Sequence, residues 1–141
     1  MGFMRSEEVT LPMRFLVTTA HLIAVVTLLF DLDALTAQVV LTEGSEFALT
    51  RQRLRGLAAA SLACFGVEYL GLFAGASIFM RGHTLACIVL HFLGAVVTAL
   101  FYARAWAVGA FAAAAALFSY VPATIEALTL LYVLRVSAYS Y

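Results

Sequence analysis

Apolar residues gather into four long stretches, each closed off by a short charged interval. The first is entered through Pro12 and Arg14 and ends at Asp31 and Asp33. The second lies between the trio Arg51, Arg53 and Arg55 and the single Arg81. The third ends at Arg104, and the fourth runs from Trp106 to Arg135. A helix needs about 20 residues, rising about 1.5 Å each, to cross the hydrocarbon core. The pattern therefore predicts spans at about 13–31, 56–80, 84–103 and 107–134, with an extramembrane loop over 32–55. Helices satisfy their own backbone in lipid, whereas single strands cannot. The expected fold class is an all-α membrane protein, one domain over 1–141 built as a four-transmembrane-helix antiparallel bundle.

Composition sharpens this picture. Of 141 residues, 65% are hydrophobic and 11% charged, whereas a soluble domain is about a quarter charged. The excess apolar surface must meet membrane lipids. All eight bases are Arg, balanced by eight acids, so no polybasic patch for nucleic acid or anionic head groups exists. The sequence holds no Asn and hence no N-glycosylation acceptor. Cys64 and Cys87 both sit early in their apolar stretches, so antiparallel neighbours would hold them toward opposite membrane faces; both read as small buried hydrophobes. The first stretch is long for a signal peptide and has no small-x-small cleavage site after it, so it is expected to be retained.

An even number of spans puts both termini on one side. Arg5, Arg14, Arg81 and Arg135 share that side, and Arg51, Arg53, Arg55 and Arg104 the other. Four against four leaves the positive-inside rule undecided. Short links at 81–84 and around Arg104 make consecutive helices antiparallel neighbours. In the first loop, Val39, Val40 and Leu41 precede Thr42-Glu43-Gly44-Ser45. An ordered lip that packs on its own helices is expected there, with Ser45 capping the approach to the second span. Tyr102, Trp106, Tyr139 and Tyr141 read as interfacial anchors.

Each span carries one ionisable residue: His21, Glu68, His91 and Glu126. Such groups are costly at membrane depth and turn toward protein or one another. Depth along each stretch suggests two layers, His21 with Glu68 and His91 with Glu126. A structural polar interior is the leading reading. A small proton-coupled channel or transporter using these Glu and His residues is the alternative. Metal binding lacks the short ligand spacing that helical metal sites use, and no cofactor is implied. A membrane enzyme needs a denser polar site than four single residues. Gly71 and Gly75 form a GxxxG strip that Ser77 extends, a face for close helix packing. Pro122 removes a backbone donor and is expected to kink the fourth helix so that Glu126 aims inward, with Ser119 and Thr124 satisfying freed backbone.

Beyond these physical readings, the second span, Val67-Glu68-x-x-Gly71-x-x-x-Gly75-x-Ser77-x-Phe79, resembles that of the transmembrane protein 107 family. So do Arg14-Phe15-Leu16, Ala20-His21-Leu22 and Thr27-Leu28 in the first. His91 with the Arg104 and Trp106 exit extends the likeness to the third, and Pro122-Ala123 with Glu126 to the fourth. The resemblance covers about 14–134, apart from the first loop. It implies a non-enzymatic scaffold of the ciliary transition zone, within the Meckel-syndrome module, that controls ciliary membrane composition. It further implies both termini in the cytosol. The partners it implies are tectonic-type proteins, B9-domain proteins and other transition-zone membrane proteins. With residues 1–12 ahead of the first span, a turn over 81–84 and a tail over 135–141, no room for a soluble active site is expected.

Overall fold

The computed structural model describes residues 6–40, 44–75, 77 and 80–139. Arg5, Leu41, Thr42, Glu43, Phe79 and Tyr141 lie outside them, as does the side chain of Tyr139, so the expectations placed on those residues go no further here. Helix α1 spans Ser6–Phe30, α2 Leu32–Val39, α3 Ser45–Ala74 and α4 Arg81–Arg104. The last span is helical throughout: α5, Val108–Ala115, passes through a π-helical stretch, Ala116–Tyr120, into α6, Val121–Tyr139. Four helices are long and apolar enough to cross a membrane: Val9–Phe30, Ser45–Ala74, Arg81–Arg104 and Val108–Val136. The protein is an all-α, four-helix membrane bundle, and no strand occurs among the described residues.

Several boundaries differ from the sequence reading, each for a local reason. α1 begins at Ser6 and runs through Pro12, which carries Arg14 inside the helix instead of ahead of it. α3 starts at Ser45, so the trio Arg51, Arg53 and Arg55 is helical, and much of the expected loop with it. Ser45 is the first helical residue and does not cap; Gly44 takes the cap position with no side-chain bond. At the other end Gly75 adopts a left-handed conformation, φ 73°, and stops α3. A left-handed residue after the last turn is how many helices end, and glycine takes that conformation without a Cβ penalty. Gly75 thus terminates α3, and the turn between α3 and α4 precedes Arg81 instead of following it.

α2 packs its buried Leu32, Leu35 and Thr36 inward, while Val39 and Val40, on which the expectation of a packed lip rested, are half-buried. Arg51 donates to the Asp33 carboxylate across this connection. That bond holds the Asp33 carboxyl below the usual carboxylate range. The pair's contribution is therefore present above the ordinary carboxylate pKa and is lost as pH falls through the lowered one. Both side chains are largely exposed, and exposed pairs contribute little. Asp33→Asn is accordingly expected to leave the melting temperature in detergent nearly unchanged at neutral pH; a large drop would mean that the connection carries more than its geometry suggests.

Inward positions recur with helical spacing. On α1 they are Arg14, Thr18, His21, Val25 and Leu28; on α4 they are Thr84, Cys87, His91, Gly94, Thr98 and Phe101. α3 offers Leu54, Ala58, Ser61, Phe65, Glu68 and Gly71. α1 and α4 run parallel, and α3 and the last span run against both, because Arg14 meets Ser77 while Asp31 meets Tyr102. The core consequently divides along the membrane normal. Toward the α2 end it is apolar: Val25, Leu28, Leu35, Leu54, Phe65, Phe101 and Phe111, with the Phe101 and Phe111 rings stacked at 5.0 Å. Toward the end shared by the chain termini it is polar. Lipid is as apolar as leucine, so the apolar half coheres by close packing, and the polar half adds hydrogen bonds with no water to compete.

Pro122 falls at the second position of α6, directly after the π stretch. The wider turn accommodates a residue that cannot donate its backbone hydrogen bond. Val121 N–H reaches Ala116 O across it. Thr124 Oγ1 donates to Tyr120 O at 2.7 Å, not to the Phe118 carbonyl that Pro122 leaves free in an α-helical register. Ser119 does not help: its hydroxyl is buried and without a hydrogen-bond partner among the described residues.

Candidate functional site: a buried polar network

Arg14, His21, Glu68, Ser77, His91 and Glu126 are all buried to 2% exposure or less. They form two groups, stacked one above the other in the polar half of the bundle.

The upper group is centred on Glu126 of α6. Arg14 of α1 donates from Nη2 to Glu126 Oε2 at 2.7 Å and from Nη1 to Ser77 Oγ at 2.7 Å. Ser77 Oγ in turn donates to Glu126 Oε1 at 2.8 Å, closing a ring of three side chains. His83 Nε2 stands 3.3 Å from Glu126 Oε2. Gly71 lets this happen, because a Cβ there would run into the Glu126 carboxylate. The turn after Gly75 holds Ser77 in place, since Met80 N–H bonds to Ser77 O at 3.1 Å and Thr84 Oγ1 to the same oxygen at 3.5 Å. A buried guanidinium is tolerable only when its partner is close and well satisfied. Here both carboxylate oxygens are engaged.

The lower group runs across three helices. Glu68 of α3 is hydrogen-bonded to His91 Nε2 of α4. His91 Nδ1 faces His21 Nδ1 of α1 at 3.2 Å, and His21 Nε2 faces Thr98 Oγ1 at 3.5 Å. Phe65 packs edge-on against the His21 ring, with centroids 5.0 Å apart. Gly94 opens the space for that ring, since a Cβ at this position would meet it.

The four ionisable residues expected from the sequence are therefore all turned inward, but the pairing differs. Glu68 partners His91 and not His21, and Glu126 partners Arg14 and His83 and not His91. The reason is which side chains reach Glu126. Arg14 lies inside α1 and His83 at the start of α4, and together they occupy Glu126. His91 is then left for Glu68, and His21 for His91. Sequence reading placed Arg14 as a flanking charge and left His83 in a turn, so it missed both. The spacing of Arg14, Thr18, His21 and Val25 on one helical face was the available signal.

Among the described residues no group of three His, Cys, Asp or Glu side chains is placed to hold a metal. Arg14 on Glu126 also sets a fixed positive charge beside that carboxylate. Cys64 and Cys87 are both free thiols, and Cys87 Sγ lies 3.7 Å from His83 Nε2.

A family model described as TMEM107, transmembrane protein, matches residues 10–130. The chain belongs to the TMEM107 family. No curated protein and no solved structure matches it. The TMEM107 match takes in Arg14 at one end and Glu126 at the other, so both groups of the buried network lie within the family's segment. As a member of the TMEM107 family with four membrane-spanning helices, this is an integral, multi-pass membrane protein.

Proposed function

We propose that this protein is a non-enzymatic scaffold of the ciliary or flagellar transition-zone membrane, within the Meckel-syndrome module. In this reading it assembles partner membrane proteins there and helps to control ciliary membrane composition and ciliogenesis. Membership of the TMEM107 family supports it, and one structural observation carries it. Arg14, His21, Glu68, His91 and Glu126 are paired in the interior, while the outer wall carries exposed apolar side chains that include Phe15, Leu16, Ile23, Leu70, Phe73, Leu128 and Leu131. Such a wall meets acyl chains and the spans of neighbouring proteins. The proposed partners are tectonic-type and B9-domain proteins and other transition-zone membrane proteins, alongside membrane lipids. Both termini are assigned to the cytosol.

The apolar half of the core favours this reading over a proton-coupled channel or transporter. Val25, Leu28, Leu35, Phe101 and Phe111 are each no more than 1% exposed. Below Thr98 no ionisable group is buried among the described residues. A conducting path needs polar groups or water through the whole thickness.

An endogenous tag at native expression is expected to mark a narrow band at the base of the cilium, and deletion to remove partner membrane proteins from that band. Diffuse plasma-membrane or endoplasmic-reticulum staining would refute the scaffold.

A further inference from the structure

We infer that Glu68, His91, His21 and Thr98 form one proton-binding unit, in which uptake of a single proton reverses the direction of every hydrogen bond along the chain. This inference does not rest on the scaffold reading. It rests on four side chains from three helices joined end to end, carboxylate to imidazole to imidazole to hydroxyl.

A neutral imidazole has one nitrogen that donates and one that accepts. Two ring nitrogens that face each other must therefore be of opposite kind, which ties the state of His21 to that of His91. With Glu68 ionised, every link is satisfied in one order. Thr98 O–H donates to His21 Nε2, His21 Nδ1–H donates to His91 Nδ1, and His91 Nε2–H donates to the carboxylate. With Glu68 protonated, the opposite order satisfies every link. The Glu68 O–H donates to His91 Nε2, His91 Nδ1–H to His21 Nδ1, and His21 Nε2–H to Thr98 Oγ1. Between the two orders the unit gains one proton and nothing else, and that proton ends on Glu68. Each ring keeps one hydrogen and changes only which nitrogen bears it. Neither ring becomes charged.

The other carboxylate oxygen decides where the acid hydrogen of the second order sits. Glu68 Oε1 is buried and has no hydrogen-bond partner among the described residues. A hydrogen placed there would be a buried, unsatisfied donor, which is costly in a bundle without competing water. The acid hydrogen therefore belongs on Oε2, facing His91 Nε2, and that nitrogen must then accept. Glu68 sets the tautomer of His91, and His91 sets that of His21.

The charged and titratable groups nearest this unit are Cys64 on α3, which interacts with Glu68, and the members of the upper group, of which Arg14 and Glu126 act on Glu68 with opposite signs. Arg14 on α1, His83 on α4 and Glu126 on α6 form the upper group and pair with one another. Cys87 on α4 lies beside His83. The apolar neighbours Phe65 and Gly94 flank the His21 ring.

Nitrogen-15 NMR of the full chain, labelled at histidine and reconstituted in lipid nanodiscs, tests the inference during a pH titration. His21 and His91 are expected to exchange the nitrogen that bears their hydrogen together, at one midpoint, with neither passing through an imidazolium. Glu68→Gln is expected to abolish the pH dependence, because an amide takes up no proton and can serve His91 Nε2 as donor or acceptor, so the tautomer populations of both rings stay constant across the titration. Separate midpoints, a charged ring, tautomers that stay fixed across the titration, or an exchange that survives Glu68→Gln would each overturn the inference. The wild-type titration decides the matter by itself should the variant not fold.

Discussion

Replacing Glu126 by Ala is expected to destabilise the bundle by about 3–5 kcal/mol, the range for stripping one partner from a buried ion pair. Arg14 would keep its charge while losing its carboxylate, and Ser77 would lose the acceptor at 2.8 Å. Arg14→Ala is expected to cost a similar amount, because Glu126 is then left buried with only Ser77 and His83 beside it. Unfolding of the purified protein in detergent micelles, followed by helical circular dichroism, measures both. Replacing the pair together, Arg14→Met with Glu126→Leu, is expected to recover much of the loss, since removing both charges abolishes the uncompensated one. A double variant as unstable as the sum of the single ones would show that the two residues act independently, against the geometry seen here.

The second large effect concerns glycine. Gly71→Ala and Gly94→Ala each place a methyl where a functional side chain already sits, the Glu126 carboxylate in one case and the His21 ring in the other. Neither neighbour is free to retreat. Glu126 is held by Arg14 and Ser77, and His21 lies against Phe65 and faces His91. Overpacking of this kind costs about 1–3 kcal/mol. Gly66 supplies the control within the same helix, because a Cβ there meets nothing within 4 Å. Gly66→Ala is expected to be neutral or slightly stabilising, as alanine is the better helix former by about 1 kcal/mol. The same detergent unfolding assay compares the three, and equal behaviour of Gly71→Ala and Gly66→Ala would contradict the close approach of α3 to α6.

What the amino-acid pattern made legible follows from the cost of polarity in lipid. Four apolar stretches compel four helices, and ionisable residues within them compel an interior. His21, Glu68, His91 and Glu126 could thus be singled out, and all are buried. Their partners could not be read, because pairing depends on register between helices, which single-chain periodicity does not contain. Arg14 looked like a boundary because boundaries attract arginine; only the approach of Ser77 and Glu126 distinguishes it. Gly71 and Gly75 looked alike in the GxxxG strip, yet one lies beneath a carboxylate and the other ends its helix at a positive φ. Pro122 announced a disturbance in the last helix without revealing that a π stretch would absorb it.

The bond between Arg14 and Glu126 joins positions 112 residues apart in the chain. A ribosome delivers them in that order, so the first helix enters the bilayer carrying a guanidinium whose counter-ion has yet to be synthesised. Until the last helix arrives, the nascent chain bears a cost on the order of a few kcal/mol for an unmatched charge in hydrocarbon. Neutralisation of that charge waits for the helix that carries Glu126. A truncated product would be left with an exposed polar mark in the membrane, which distinguishes unfinished chains from finished ones.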